Sequence, residues 1–143
     1  MDGFASLTLQ ENGLLGIAGQ TIDLVSEDLD SLSHKLSAKV RVINPTVEPP
    51  YYKATFKTGD LTCDVIAQGG WPTHWIFQRA EAPPTGNDSA AYDALLRFYE
   101  GKVRELTGAT EKSFAWGSIH GLYDDKSGTS YILILIERGQ SAR

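Results

Sequence analysis

Cysteine is nearly absent from this chain. Cys63 is the single thiol in 143 residues, and there are only three histidines. One thiol cannot close an intramolecular disulfide, and histidines without close spacing do not form a zinc-binding motif. The sequence therefore predicts no disulfide framework, no metal site and no cofactor. A reducing, cytoplasmic compartment suits such a chain.

Clusters of basic residues are absent too. The chain has 13 Lys and Arg against 18 Asp and Glu, which gives a formal charge of −5, and no two basic residues are adjacent. Phosphate binding needs grouped cations, so nucleic acid is not the expected partner. The longest apolar run also falls well short of the roughly 20 residues that span a bilayer. A membrane partner is therefore not expected either.

Catalytic motifs are the third absence. Cys63 falls on the apolar face of a predicted strand, which is typical of an inert core thiol. Ser118 and His120 share a predicted strand face, yet no nucleophile elbow surrounds the serine. The pair Asp124-Asp125 stands before Lys-Ser-Gly, a pattern typical of a hairpin turn. The sequence predicts no catalytic residue and favours a protein that is not an enzyme.

A strongly apolar strand near the C-terminus is the clearest feature that is present. Tyr131–Ile136 holds six consecutive large apolar residues, which is typical of a central strand with both faces covered. Lys112–Asp124 is interpreted as one long strand that pairs with it through a hairpin turn. A helix can cover one face. The N-terminal hairpin, a partial barrel or a second chain must then cover the other, and we expect the function or an oligomer interface there.

Two helices are predicted. The stronger pattern runs over Asp88–Leu106, with Asn87 or Asp88 as the cap and Gly108 as the stop. The other helix begins after an N-cap at Ser26. Its apolar stripe comprises Leu29, Leu32, Leu36, Val40 and Ile43. Because β-branched residues also favour strands, residues 38–43 fit either a helix or a strand.

Strand patterns account for most of the remaining chain. Asn12-Gly13 predicts a hairpin turn, because both residues tolerate positive φ angles. Alternating patterns predict strands at Tyr51–Thr58, over 61–68 and at Thr73–Arg79. Short connections make neighbouring strands antiparallel. The predicted fold is a single α+β domain over residues 1–143, with a mostly antiparallel, curved sheet of five to seven strands and two helices packed on one face.

Aromatic and histidine side chains form the one candidate binding cluster. It consists of Trp71, His74, Trp75, Trp116, His120 and Tyr123. Such residues can line a small-molecule pocket, form a hot spot for a protein partner, or simply pack in the core. Adjacent His74 and Trp75 must point to opposite faces of a strand. Trp116 and His120 share a predicted face but lie about 13 Å apart along it.

The order of elements carries a family resemblance. From residue 27 onward, a helix, three strands, a helix and two strands follow one another, which is similar to small acidic bacterial secretion chaperones. Small acidic immunity proteins, which neutralise toxins, are similar at this level too. The resemblance implies a non-catalytic protein that binds another polypeptide, and the chaperones imply a dimer. The hairpin over 7–18 and the missing third helix depart from the chaperone pattern.

Together these patterns favour a non-catalytic, protein-binding module of the chaperone or immunity type. The expected partner is a protein, with a homodimer as a further option. The alternative is a small-molecule-binding protein or a simple enzyme with an aromatic and histidine-lined pocket between sheet and helix. A closed cavity lined by Trp75, Trp116 and His120 would favour the pocket, whereas an exposed strand edge or apolar patch would favour the protein binder.

Overall fold

The computed structural model describes residues 3–79 and 89–137, which contain one 3-10 turn, two α-helices and ten strands. The 3-10 turn is Gly3–Ser6. The elements that follow are β1 (Thr8–Leu9), β2 (Leu14–Ile17), β3 (Gln20–Asp23), α1 (Leu29–Leu36), β4 (Lys39–Asn44), β5 (Tyr51–Thr58), β6 (Leu61–Gln68), β7 (Trp71–Arg79), α2 (Ser89–Thr107), β8 (Glu111–Phe114), β9 (Gly117–Asp124) and β10 (Thr129–Ile136).

Seven strands form one antiparallel sheet in the order β4-β5-β6-β7-β10-β9-β8. β10 therefore lies inside the sheet, between β7 and β9, as its apolar sequence predicts. β1, β2 and β3 form a separate antiparallel sheet. The hairpin predicted at Asn12-Gly13 joins β1 to β2, with φ of +91° at Gly13. The predicted α+β class and antiparallel sheet are confirmed.

The core lies on one face of the seven-stranded sheet, called the inner face below. Alternate residues of the central strands point to it, and Val65, Trp75 and Ile134 form one cross-strand row with exposures of 0–1%. Side chains from both helices and from the three-stranded sheet belong to the same buried cluster. Fully burying one such side chain contributes on the order of 2 kcal/mol. Both helices therefore pack on one face, as predicted.

The first helix is shorter than its apolar stripe indicates. Its N-cap is Asp28, whose carboxylate accepts a hydrogen bond from the Ser31 backbone N–H at 2.9 Å, so the prediction of Ser26 as the cap is wrong. Ser37 adopts a left-handed conformation with φ of +52° and ends the helix after Leu36. Residues 39–44 then form β4, which settles the choice between helix and strand in that stretch.

The second helix is tied closely to the sheet. Gly108, with φ of +88°, follows its C-terminal end as predicted, whereas the predicted caps Asn87 and Asp88 lie outside the described residues. The hydroxyl of Tyr99 accepts a hydrogen bond from the Arg79 backbone N–H at 2.8 Å. A Cβ atom on Gly121 would lie 3.2 Å from the Glu100 backbone nitrogen, so a larger residue here would require helix and strand to move apart by a few tenths of an ångström.

The stretch predicted as one long strand over 112–124 is a hairpin instead. β8 ends at Phe114, and β9 begins at Gly117 and runs antiparallel to it. A two-residue turn of Ala115 and Trp116 separates them. An apolar, alternating pattern that continues through a tight turn gives no sign of the break.

No helix in the described ranges is both long and apolar enough to cross a membrane.

Candidate protein-binding surface

The face of the seven-stranded sheet that points away from the helices is called the outer face. Strand alternation places Ile66, Ile76, Leu133 and Leu135 there, because their neighbours along each strand belong to the buried inner face. Ile76 pairs with Leu133, which pairs in turn with His120. Leu133 is only 8% exposed, since the side chains beside it shield it. The centre of the outer face is therefore apolar, with Leu133 buried and Ile66, Ile76 and Leu135 partly buried.

Basic residues flank this apolar centre on β4 and β5. The two strands carry Lys39, Arg41, Lys53 and Lys57, and neither contains an acidic residue. All four alternate with inward-facing positions, so they share the outer face. Arg41 lies directly opposite Lys53. Like charges in such a pair destabilise a sheet, so this arrangement gives the acidic chain a local basic surface at a cost in stability.

Only one of these four cations has a carboxylate partner among the residues that the structure describes. Lys53 Nζ lies 3.7 Å from the Asp64 carboxylate, which also accepts a hydrogen bond from the Thr55 hydroxyl at 2.7 Å. Lys39, Arg41 and Lys57 have no ion-pair partner within that part of the chain and are exposed. They can therefore pair with an external acidic group without breaking an internal contact.

β4 itself is an exposed edge strand. It closes one side of the seven-stranded sheet, and five of its six residues are exposed. Val40 is 45% exposed, Val42 49% and Ile43 42%. These are three of the six large hydrophobic residues that are exposed in the described ranges. Hydrophobic side chains thus coincide at one element with a strand edge that pairs with no other described strand, which is where proteins add a strand from a partner.

Sequence reasoning missed this surface. The alternating signal in Lys39-Val40-Arg41-Val42 is visible, but the same residues continue the apolar stripe of α1. Once the segment is a strand, Lys39 and Arg41 must share one face and Val40 and Val42 the other. The pairing of Arg41 with Lys53 could not be foreseen, because it depends on how the loop at residues 45–50 returns the chain.

The tryptophans of the predicted cluster lie in separate places. Trp75 is fully buried on the inner face and stacks on Phe77 at a centroid distance of 6.1 Å. Trp116 lies in the β8–β9 turn, stacks on Phe114, and donates its indole N–H to the Glu11 backbone oxygen at 2.8 Å. The expectation that Trp116 shares a strand face with His120 is wrong, because the chain reverses between them.

Trp71 and Tyr123 are the two exposed aromatic residues of the cluster. Trp71 begins β7, pairs with Gln68 and is 49% exposed. Tyr123 is 40% exposed and packs edge-to-face against Tyr92 of α2 at 5.7 Å. It lines a surface groove of about 490 Å³ between the start of α2 and the β9–β10 turn. The two residues lie at distant positions, since one starts β7 and the other is near the end of β9.

The two histidines of the cluster do share the outer face. His74 pairs with Leu135 and His120 with Leu133, so they are two strands apart and offset by two residues, which is on the order of 12 Å. The ring Nδ1 of His74 lies 2.8 Å from the Thr73 hydroxyl. Partial burial lowers the pKa of His74, which favours its neutral form. The pair is too widely spaced to act on one atom.

Cys63 lies where the sequence places it. The thiol is fully buried on the inner face, and burial, with a contribution from the neighbouring Asp64 charge, raises its pKa far above the usual range. A thiol held in its protonated form is a poor nucleophile.

Trp75 and His120 lie on opposite faces of the sheet, so they cannot line one cavity together.

Comparison with known proteins gives one likeness of fold. No protein-family model matches the chain, and no curated protein matches its sequence. The fold is similar to that of a chain in the solved structure "Rhs1-CT in complex with cognate immunity protein RhsI1". The two chains are 15% identical with a TM-score of 0.59, and the match covers 95% of this chain and 92% of the other. At this identity the likeness is one of fold.

Proposed function

We propose that this chain is an immunity-type protein, a non-catalytic module that binds another polypeptide and blocks its harmful activity. The observation that carries the proposal is the fold likeness to a chain of the complex between Rhs1-CT and its cognate immunity protein RhsI1, which extends over 95% of this chain. A match along nearly the whole length of both chains supports a shared architecture rather than a shared local motif.

The surface chemistry supports a protein partner. Stable protein interfaces have an apolar centre and a polar rim, and they are enriched in Arg and aromatic residues. The outer face has Leu133 and Ile76 at its centre, Arg41 on its flank and exposed Trp71 at one end. A sheet face of this composition suits a folded polypeptide better than a small ligand. The candidate residues for contact are therefore on the outer face and β4.

A growth assay tests the proposal. Genomic fragments from the organism that encodes the chain are expressed from an inducible promoter in a bacterial host, with and without this chain. We expect at least one fragment to arrest growth alone and to be tolerated when the chain is co-expressed. The same chain with an early stop codon is the matched control, because it keeps the plasmid burden but makes no protein.

A direct binding measurement completes the test. The neutralised polypeptide and this chain should co-elute in size-exclusion chromatography as a stoichiometric complex after separate purification. The proposal fails if every growth-arresting fragment remains equally toxic in the presence of the folded chain, or if protection occurs without any complex between the purified proteins.

A further inference from the structure

The edge of β4 that points away from β5 is open to a further strand in the part of the chain that the structure describes. One side of β4 pairs with β5, while the other pairs with no strand in the described part of the chain. About half of the peptide groups of an edge strand point away from the sheet. Lys39–Val42 keeps a regular register with β5 before the irregularity between Val42 and Asn44. This regular four-residue segment therefore presents about half of its backbone donors and acceptors to an incoming strand.

The side chains of this edge alternate between two chemistries. Lys39 and Arg41 lie on the outer face, beside Lys53 and Lys57 of β5. Val40 and Val42 lie on the opposite face and are 45% and 49% exposed. Cations on an edge strand protect against unwanted pairing, yet protection alone does not need two exposed valines. An edge that is charged on one face and apolar on the other can select the strand that it accepts.

A second copy of this chain is a poor occupant for the position. In a two-fold antiparallel pair of β4 strands centred on Val40, Lys39 and Arg41 would lie opposite Arg41 and Lys39 of the copy, with Lys53 close behind. Like charges directly opposite each other in a sheet are destabilising. The edge is complementary to a strand that carries carboxylates where this one carries cations. The charge pattern thus favours a different, acidic polypeptide over self-pairing.

We propose that β4 accepts an extended segment of the protein partner, which adds to the seven-stranded sheet as a further strand. The segment carries Asp or Glu at the positions that face Lys39 and Arg41, and β-branched or other apolar residues at the positions beside Val40 and Val42. Backbone hydrogen bonds supply affinity in this mode, and the alternating side chains supply specificity. That the occupant comes from a protein partner rests on the immunity-type function proposed above.

Two synthetic peptides test the edge without the partner. The acidic probe is Thr-Glu-Val-Glu-Val-Glu-Thr, and the basic probe replaces each Glu with Lys. In a nuclear magnetic resonance titration of the full chain, the acidic probe should shift the backbone amide signals of β4 and bind at least about tenfold more tightly than the basic probe. Equal affinities, or shifts confined to β7 and β10 on the outer face, would overturn the proposal.

Charge reversal on the edge supplies the matched comparison. The double variant Lys39→Glu and Arg41→Glu should reverse the preference and bind the basic probe about tenfold more tightly. The double variant Arg104→Glu and Lys126→Glu makes the same charge change at exposed positions elsewhere and should keep the wild-type preference. If both double variants shift the preference equally, net charge and not the edge selects the peptide. Arg41→Glu alone gives a smaller reversal should the double variant not fold.

Mixing the proteins provides a second measurement. Wild type and the Lys39→Glu, Arg41→Glu variant have opposite charges on β4, so sedimentation velocity should detect association between them and not within either alone. These experiments are independent of any toxin. Peptide selectivity without a neutralised polypeptide would leave the edge assignment in place and remove the proposed function. Neutralisation without peptide selectivity would leave the proposed function in place and remove the edge assignment.

Discussion

Ser130 is a polar side chain placed wholly within the core. It is 0% exposed, and its hydroxyl has no hydrogen-bond partner among the residues that the structure describes. A buried hydroxyl without a partner costs about 1–3 kcal/mol relative to its hydrated state. The backbone oxygen of Ser130 does accept a hydrogen bond from the Gln78 side chain at 3.3 Å, and a change of side chain leaves that contact in place.

Replacement of this hydroxyl should stabilise the protein. We expect Ser130→Ala to raise the free energy of unfolding by about 1 kcal/mol, because alanine removes the unsatisfied group and little volume. Urea unfolding at pH 7 measures the change. Ser113→Ala, at an exposed position of β8, is the control and should stay within about 0.5 kcal/mol. A clear loss of stability in Ser130→Ala would mean that the hydroxyl makes a bond in solution.

Trp116 illustrates why some residue roles could not be assigned from the sequence. Its aromatic character suggested a binding site, but its indole N–H holds the Glu11 backbone oxygen at 2.8 Å and links the turn after β8 to the three-stranded sheet. The partner is 105 residues away in sequence. No local pattern encodes such a contact, whereas the core role of Cys63 follows directly from alternation along its own strand.

Among the elements, those with complete local signals were predicted well. β10 carries a continuous apolar run, and α2 has a one-sided stripe with Gly108 after its end. The incorrect predictions occur where the apolar pattern of one element continues into the next. The stripe of α1 continues into β4, and only the left-handed Ser37 and Ala38 separate them. The alternating pattern over residues 112–124 likewise continues through the two-residue turn at Trp116, which separates β8 from β9.

Glu27 connects β3 with α1 and makes this junction sensitive to pH. Its carboxylate accepts hydrogen bonds from the Asp23 backbone N–H at 3.1 Å and the Ser31 hydroxyl at 2.8 Å, and lies 2.9 Å from Lys35 Nζ. Burial alone would raise the pKa of Glu27, but the bonds from Lys35, Asp23 and Ser31 outweigh it and lower the pKa. The carboxylate therefore stabilises the fold in its charged form.

The sign of the pH effect follows from that direction. A carboxylate whose pKa is lower in the folded state than in the unfolded state contributes its full stabilisation above the unfolded pKa. That contribution is lost as the pH falls through the folded pKa. We expect Glu27→Gln to lower the free energy of unfolding by about 1.5 kcal/mol at pH 7. The gap to wild type should shrink below about pH 4.5, the unfolded value.

Urea unfolding at pH 7, 5.5 and 3.5 measures both parts of this prediction. Glu48→Gln, in an exposed loop, removes the same charge away from the junction and should change stability by less than about 0.5 kcal/mol. A gap between Glu27→Gln and wild type that stays constant down to pH 3.5 would contradict the pKa argument, even if the variant were destabilised at pH 7.

At the scale of the whole molecule, the expectation that function lies on the second face of β10 stays a prediction. The expectation that the second face of β10 matters rested on its apolar residues, and the outer face does carry Leu133 and Leu135. The basic flank arises only from strand pairing, because residues 41 and 53 meet across β4 and β5. Scattered cations in a chain of charge −5 gave no hint of this local charge.

That local charge should also keep the molecule from associating with itself. Replacing both edge cations by Lys39→Thr and Arg41→Thr leaves an uncharged, β-branched edge without proline over residues 39–43. Such edges pair readily with copies of themselves. We expect the double variant to show a sedimentation coefficient that rises with concentration, over a range in which the wild type stays monomeric.

Salt and a matched variant separate edge pairing from a general loss of solubility. In 1 M NaCl the Debye length falls to about 3 Å, so the wild type should begin to associate there if charge repulsion protects the edge. Arg104→Thr with Lys126→Thr removes the same two charges elsewhere and should remain monomeric in dilute salt. A wild-type dimer in dilute salt, or a double edge variant as monomeric as wild type, would show that Lys39 and Arg41 do not guard this strand.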